Sequence, residues 1–290
     1  MTDISIRVFG RAARVVVAAL AMAVGTAGLA SAQTAAPAAD PNPGALTFTG
    51  GVDFPSKYVF RGLVQEADSS LTLFPYGDVG IALFSGDGGI KSASVNFGVW
   101  NALMTGSSGS DGPSGHSHYE EDFYTTLTLG FDKGFSLGTT YTAYTSPNLS
   151  FGTVHEIAFK VAKTHFVNPY GLIAFELDGQ ADGGTSEGTY AEFGVGPAWS
   201  LAEGKAIVTV PVKLGFSLND YYEGPDGDEK FGYFQIGGQI AAPLTSSTSK
   251  FGVWTVKGGI DIYALGDTPK RFNNGDGGKV VATFGIGVVY

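Results

Sequence analysis

The chain has 290 residues, a formal net charge of −10, 44 glycines, 13% aromatic residues and no cysteine. An acidic chain of this kind is a poor partner for nucleic acid, and without cysteine it has no disulfide, thiolate metal site or lipoprotein anchor. After the N-terminal region no run of about 18 apolar residues occurs, which argues against a membrane-spanning helix.

The N-terminal residues 1–32 have the pattern of an export signal. Three arginines precede the apolar run Val15–Ala30, which leads into an Ala-x-Ala cleavage site. We therefore expect a cleaved signal peptide over 1–32, a flexible Ala/Pro-rich tail over 33–44 and a single domain over 45–290. Export without cysteine suggests the envelope of a Gram-negative bacterium.

The first candidate strand, Leu46–Arg61, alternates apolar and polar residues in one register. Such alternation predicts a strand with one apolar and one polar face. Its length exceeds the 5–6 residues of an ordinary strand and is sufficient for a tilted membrane-spanning strand, which needs about 9–11. We expect Tyr58 and Phe60 to face lipid near the interface and Arg61 to point inward at the outer end of this strand.

Eleven further segments alternate in the same way, most cleanly over 205–220. They cover residues 70–84, 90–105, 120–132, 135–147, 151–163, 166–179, 188–201, 205–220, 230–243, 250–265 and 278–290. Long connections alternate with short ones, as in outer-membrane barrels with outer loops and inner turns. Four prolines fall inside these segments, where we expect bulges: Pro75, Pro169, Pro197 and Pro211.

The last segment ends on an aromatic residue, as the closing strand of an outer-membrane barrel does. We expect its apolar face to form the signal that the barrel assembly machinery reads: Phe284, Ile286, Val288 and Tyr290. The closing strand of a soluble β-sandwich is the alternative for this segment alone. Together the segments predict an all-β fold, a single up-and-down antiparallel transmembrane β-barrel of 12 strands.

Two short motifs add a family resemblance. Residues 56–65 read SKYVFRGLVQ, and residues 96–102 read NFGVWNA. Both resemble the TorF family, a bacterial outer-membrane porin family with a Y-x-F-R-G-like strand end and a nearby G-x-W strand. The resemblance is clear over roughly the first 70 residues after the expected signal peptide and only architectural beyond them. It implies an outer-membrane barrel with a pore role and names no substrate.

Charged residues of both signs fall on one face of the predicted segments. We expect this face to point into the barrel, because a basic side chain facing lipid near the midplane would cost about 2–4 kcal/mol. These pore-lining candidates are Asp53, Lys57, Arg61, Asp78, Glu156, Lys160, Glu176, Glu192, Lys213, Lys257, Asp261 and Lys279. They fit either a water-filled pore that filters solutes or a plugged lumen held by ion pairs across it. Six acids against six bases predict a weak filter, with the excess acid in the loops at Glu120–Asp122 and Asp220–Glu229.

Arg61 is the residue with the most specific chemistry in this set. It could hold an anionic solute bidentately, or it could pair with an inward carboxylate such as Asp78 or with loop carbonyls. His116 and His118 precede three acidic residues, but their loose spacing in a Gly/Ser-rich loop favours a solvated loop over a metal site. No catalytic motif is evident.

The sequence as a whole predicts a porin-like channel for passive diffusion of small hydrophilic solutes through a narrow charged lumen. It predicts no enzyme activity, no cofactor and no metal. The expected partners are outer-membrane lipid, lipopolysaccharide, the barrel assembly machinery and the solutes. The alternative is a non-conducting outer-membrane barrel that acts as an envelope scaffold or adhesion protein through its outer loops.

Overall fold

The computed structural model describes residues 44–66, 69–106, 112, 115–225, 227–247 and 249–290. The expected signal peptide lies outside the described residues, as does the expected tail apart from Gly44. Within the described residues no helix is both long and apolar enough to cross a membrane.

The strands are β1 (Leu46–Pro55), β2 (Val59–Phe60), β3 (Leu63–Val64), β4 (Thr72–Ser85), β5 (Ile90–Met104), β6 (His118–Phe131), β7 (Phe135–Thr145), β8 (Val154–Lys163), β9 (Tyr170–Asp178), β10 (Thr189–Val195), β11 (Ala198–Leu201), β12 (Ala206–Thr209), β13 (Val212–Asn219), β14 (Glu223–Gly224), β15 (Gly227–Asp228), β16 (Phe231–Pro243), β17 (Val253–Leu265) and β18 (Gly278–Val289), with one helix, α1 (Asp267–Phe272).

The long strands form a closed antiparallel barrel that the chain crosses 12 times. Each crossing pairs with the next one along the chain, and β18 pairs with β1 to close the sheet. The closing pair extends to Tyr290, whose backbone exchanges hydrogen bonds of 2.6 and 2.8 Å with Phe48. The predicted 12-stranded up-and-down barrel is therefore confirmed.

Two of the 12 crossings are interrupted by proline. The strands β10 and β11 make one crossing that breaks at Pro197, and β12 and β13 make the next, which breaks at Pro211. The register continues unchanged across both breaks, from Val195 opposite Val212 to Ala198 opposite Thr209. Bulges were expected here, but proline only removes donors from the ladder, so the pairing lapses without an extra residue being inserted.

The barrel wall has an apolar outside and a mostly polar inside, as alternation along each strand requires. Large apolar side chains on the outer surface are exposed, for example Phe97 at 53% and Phe193 at 58%. On β18 the exposed residues Val280 and Phe284 alternate with the buried Val281. This is the opposite of a water-soluble β-protein, whose large apolar side chains face a closed core.

The connections at the two ends of the barrel differ in length. At one end, the long-loop end, lie the described residues of six connections: 56–66 with 69–71, 105–106 with 112 and 115–117, 146–153, 179–188, 220–225 with 227–230, and 266–277. At the other, the short-turn end, lie 86–89, 132–134, 164–169, 202–205 and a longer turn, described over 244–247 and 249–252. The helix α1 belongs to the last long connection. The predicted alternation is confirmed in its main features.

The first long connection departs from the prediction, because β1 ends at Pro55 rather than at Arg61. The chain then turns into the barrel, where β2 and β3 pair as a short hairpin. Tyr58 and Phe60 are 1% and 5% exposed, so their predicted lipid-facing orientation is wrong. Alternation reports which residues share a face but not where the strand ends, and a hairpin inside the barrel continues the same alternation. We call residues 56–66 the plug.

Candidate functional site: the plug and the lumen beneath it

The tip of the plug is a two-residue hairpin turn at Arg61 and Gly62. Both residues have positive φ, 46° and 87°, as the favoured tight hairpin turn requires. Glycine adopts this conformation freely, whereas it is uncommon for arginine. The side chain of Asn273, just after α1, holds the turn by donating to the Gly62 carbonyl (2.9 Å) and accepting from the Val64 amide (3.0 Å).

The Arg61 guanidinium makes a buried bidentate ion pair with Glu156 on β8. The two N···O distances are 2.7 and 2.9 Å, and the side chains are 4% and 1% exposed. Arg61 also donates to the Tyr221 hydroxyl (2.8 Å) and lies over the Tyr190 ring at 4.1 Å. The partner of Arg61 is therefore an inward carboxylate, as one of the alternatives expected, but it is Glu156 rather than the neighbouring Asp78, because the plug carries the guanidinium across the lumen to the opposite wall.

Aromatic side chains fill the space around the plug. The Tyr58 ring packs against Phe74, Trp100 and Tyr119 with centroid distances of 5.0, 5.5 and 6.3 Å. Phe60 packs against Tyr144 at 5.7 Å. These rings form one of two buried clusters inside the barrel, and both clusters include plug residues. At this level the barrel interior is occupied by side chains.

A cluster of tyrosines surrounds Glu192 further along the lumen. Its carboxylate accepts hydrogen bonds from the hydroxyls of Tyr170 (2.5 Å), Tyr190 (2.8 Å) and Tyr233 (2.6 Å). Lys213 lies near the same carboxylate, and the Lys160 ammonium lies over the Tyr170 ring at 4.2 Å. Because Tyr190 contacts both Arg61 and Glu192, it connects the plug to this cluster.

The remaining inward acids have partners of three kinds. Asp53 pairs with Lys257 at 2.9 Å. The side chain amides of Asn96 and Gln235 donate to Asp78 (2.6 Å) and Asp261 (2.8 Å). Glu176 accepts from two backbone amides of the adjoining connection, those of Ala181 and Gly188, each at 2.6 Å.

Two of the 12 pore-lining candidates lie at the long-loop rim. Lys57 follows the end of β1 and is exposed, so it is not placed on a strand face inside the barrel as expected. Lys279 shares the inward parity of Val281 but pairs with Asp276 at the rim, at 2.7 Å. The other ten have side chains inside the barrel; their role in lining a pore stays a prediction.

The structure also brings two acids into the lumen that were counted with the loop charges, although the predicted segment 120–132 includes them. The strand β6 begins at His118, so Glu120 and Asp122 lie on it, and they are 4% and 1% exposed. Their alternation with Tyr124 and Thr126 is a signal that could have identified them as inward-facing. The tyrosines of the lumen were missed because a tyrosine fits either face of a strand.

The histidine loop is described only in part. The His118 ring lies on Asn101, at 2.9 Å between Nε2 and Oδ1. In the described part of the chain, no group of three or more His, Asp or Glu residues is placed to hold a metal ion.

Two acids join neighbouring long connections at the rim. Glu223 accepts from the backbone amides of Thr185 and Ser186, which hold the pKa of its carboxyl below the usual value. Asp182 accepts from the amides of Gly184 (2.8 Å) and Glu223 (3.1 Å), while burial raises its pKa.

Comparison with known proteins yields structural matches alone. No protein-family model matches the chain, and no curated protein matches its sequence. The Bordetella autotransporter BrkA β-domain is 13% identical with a TM-score of 0.39, and the match covers 86% of this chain and 99% of that one. The NanC porin is 12% identical with a TM-score of 0.36, covering 84% and 98%. Outer membrane phospholipase A from Escherichia coli is 9% identical with a TM-score of 0.42, covering 83% and 92%.

Proposed function

We propose that this chain is an outer-membrane β-barrel that conducts small hydrophilic solutes when its plug moves aside. The closed barrel with exposed apolar side chains on its outer surface supports a membrane location, since such a surface is unstable in water. Strands rather than helices suit the outer membrane, as does the export signal expected at residues 1–32. The long-loop end would face outward.

The observation that carries this proposal is the plug with its buried Arg61–Glu156 ion pair. A lumen needed only as scaffold could be filled by wall side chains, whereas this one is filled by a separate hairpin with its own turn. The plug meets the wall through polar contacts at its tip and through rings at its base. A segment of this kind can leave without disturbing the strand ladders.

The lumen beyond the plug supports the same proposal. Its wall carries partly exposed polar side chains, among them Asp78, Asn96 and Lys257. The resemblance of residues 56–65 to the TorF porin family falls on the plug itself, which agrees with a pore role. Outer-membrane lipid is the partner that the apolar belt fits, and lipopolysaccharide and the barrel assembly machinery are proposed partners.

Conductance in a planar bilayer tests the proposal. We expect the wild type to show little or intermittent current, because the plug fills the lumen. A variant with Tyr58→Ser, Phe60→Ser and Arg61→Ser should conduct steadily. The matched control changes three exposed positions of other long connections, Leu149→Ser, Lys230→Ser and Phe272→Ser, and should behave as the wild type.

A second candidate function is the non-conducting scaffold or adhesion protein. The dense packing of the plug favours it, since Tyr58, Tyr221 and Tyr222 are at most 1% exposed. If the plug variant folds into a barrel and still carries no current, this second function replaces the first.

A further inference from the structure

Two acidic side chains meet inside the barrel beside the plug without a cation. Glu120 and Asp122 lie two residues apart on the inward face of β6 and are 4% and 1% exposed, so the two carboxyl groups are neighbours in a buried space. Within the described residues neither forms an ion pair, and neither oxygen of Asp122 has a hydrogen-bond partner among the other side chains or the backbone. The mechanism proposed above does not use this pair.

The groups that face the pair leave it without a counter-charge. The plug contributes the Tyr58 hydroxyl, β7 contributes Tyr144, and β8 contributes Glu156. On β6 itself the buried Tyr119 precedes the pair and faces Glu66 of the plug, Glu121 lies between the two acids, and Tyr124 is the next inward residue. Arg61 of the plug is already bound bidentately by Glu156, and the His118 ring at the start of β6 contacts Asn101.

Two adjacent carboxylates in a site closed to water cannot both be ionised at low cost, so they share a proton. The shared proton also explains how two acceptor groups can lie in contact, since one carboxyl then donates to the other. Such a pair titrates as a unit. Losing the proton would place a second negative charge in a site where no basic group of the described residues balances it.

The Tyr58 hydroxyl makes the pair relevant to the plug. It is buried beside both carboxyl groups, and the Glu120 carboxyl is its polar neighbour. Ionisation of the pair demands hydration, and the Tyr58 side chain occupies the buried space beside both acids. We propose that the Glu120–Asp122 pair holds a shared proton that keeps the plug seated, and that its loss at higher pH releases the plug.

This inference rests on the proposed function only in treating the plug as the movable element, and its test does not need conduction. Trp100 packs against Tyr58 at 5.5 Å and is 7% exposed, whereas Trp199 and Trp254 lie on the outer surface. With Trp199→Phe and Trp254→Phe as background, acrylamide quenching of Trp100 fluorescence reports whether the plug is seated.

We expect the quenching constant to rise about twofold or more as the pH is raised from about 5 to about 9. The variant Glu120→Gln with Asp122→Asn should show a low constant throughout, because amides do not titrate. If the double variant does not fold, the single variant Asp122→Asn, which keeps one acid of the pair, replaces it in the quenching experiment. The control Glu121→Gln, an amide change between the two acids, should follow the wild type.

A quenching constant that does not change with pH in the wild type overturns the switch. So does a double variant that keeps the wild-type pH dependence. If quenching changes with pH but no variant conducts, the switch stands and the conducting function fails. The two proposals are therefore distinguishable in one series of variants.

Discussion

The ion pair between Arg61 and Glu156 joins the tip of the plug to the barrel wall. A buried pair of charges is weak evidence of net stability, because the desolvation of both groups offsets their attraction. Removing one partner, however, leaves the other charge buried and unpaired. We call this pair the latch. While intact it adds little to the stability of the seated plug, but when one partner is removed, the unpaired buried charge of the other disfavours the seated position.

The latch predicts where a protease will cut. Arg61 is itself a trypsin site, and in the wild type it is buried. In Glu156→Gln the uncompensated guanidinium disfavours the seated plug by about 3–5 kcal/mol. Cleavage after Arg61 should then be faster by about a hundredfold or more, as measured by mass spectrometry of tryptic fragments.

The control for this experiment breaks an ion pair that is partly exposed to water. Lys230 and Asp228 pair at 2.5 Å on a long connection, where the lysine side chain is 67% exposed. Such pairs are worth about 0–1 kcal/mol, so Asp228→Asn should leave cleavage after Arg61 unchanged. Rapid cleavage there in the wild type would show that the plug is not held by the latch.

Arg61 could be recognised from the sequence as unusual, but its partner could not. Glu156 lies 95 residues away, and nothing local in the sequence indicates that the chain crosses the barrel between them. Asp78 was the expected partner because the strand was expected to continue to Arg61. The error in one strand end thus became an error in the site.

At the scale of elements, alternation predicted the wall well and the plug not at all. Eleven of the segments agree with the observed crossings to within a few residues, for example 90–105 with β5 (Ile90–Met104). The wall is predictable because each strand has one face of exposed apolar side chains and one mostly polar face. The plug obeys a different constraint, the filling of the lumen, and its apolar residues are buried by partners from distant strands.

The link between two long connections gives a prediction that depends on pH. The pKa of Glu223 is lowered by the amides of Thr185 and Ser186. A carboxyl whose pKa is lowered in the folded state stabilises it above its ordinary pKa, and this stabilisation is lost as the pH falls through the lowered value. The link should therefore be intact at neutral pH and released in acid.

Hydrogen exchange of the Thr185 and Ser186 amides measures this link. At neutral pH, Glu223→Gln should exchange these amides roughly threefold faster than the wild type, a small effect because the site is near solvent. The difference between the two proteins should vanish below the lowered pKa of Glu223. Asp182 titrates in both proteins, so its opposite shift cancels in the comparison. Equal exchange at neutral pH would contradict the link.

For the whole molecule, the distribution of charge across the barrel differs from the sequence-based expectation. Lys57 lies at the rim rather than on the inward face of a strand, while Glu120 and Asp122 lie inside. Arg61 is neutralised by Glu156, and Lys257 by Asp53. Carboxylates therefore outnumber basic groups in the interior, and the six-against-six balance expected from the sequence does not describe it.

This excess of interior acid predicts a cation-selective channel once the plug has been displaced. At 1 M salt the Debye length of the solution is about 3 Å, so charges on exposed loops are strongly screened. Charges in the barrel interior are screened less. Selectivity should therefore weaken at high salt but persist, unlike that of a channel whose acids lie only at its mouth. The measurement is the reversal potential of the conducting plug variant under a salt gradient.

The variant Asp78→Asn provides the matched test of this selectivity. Asp78 accepts a hydrogen bond from Asn96 and has no basic partner among the described residues, so its charge acts on passing ions directly. Removing that charge should shift the reversal potential towards zero, whereas Asp228→Asn at the rim should shift it only at low salt. Anion selectivity in the plug variant would instead mean that Lys160, Lys213 and Lys257 govern the passage, and that the acids are satisfied by the tyrosines and amides around them.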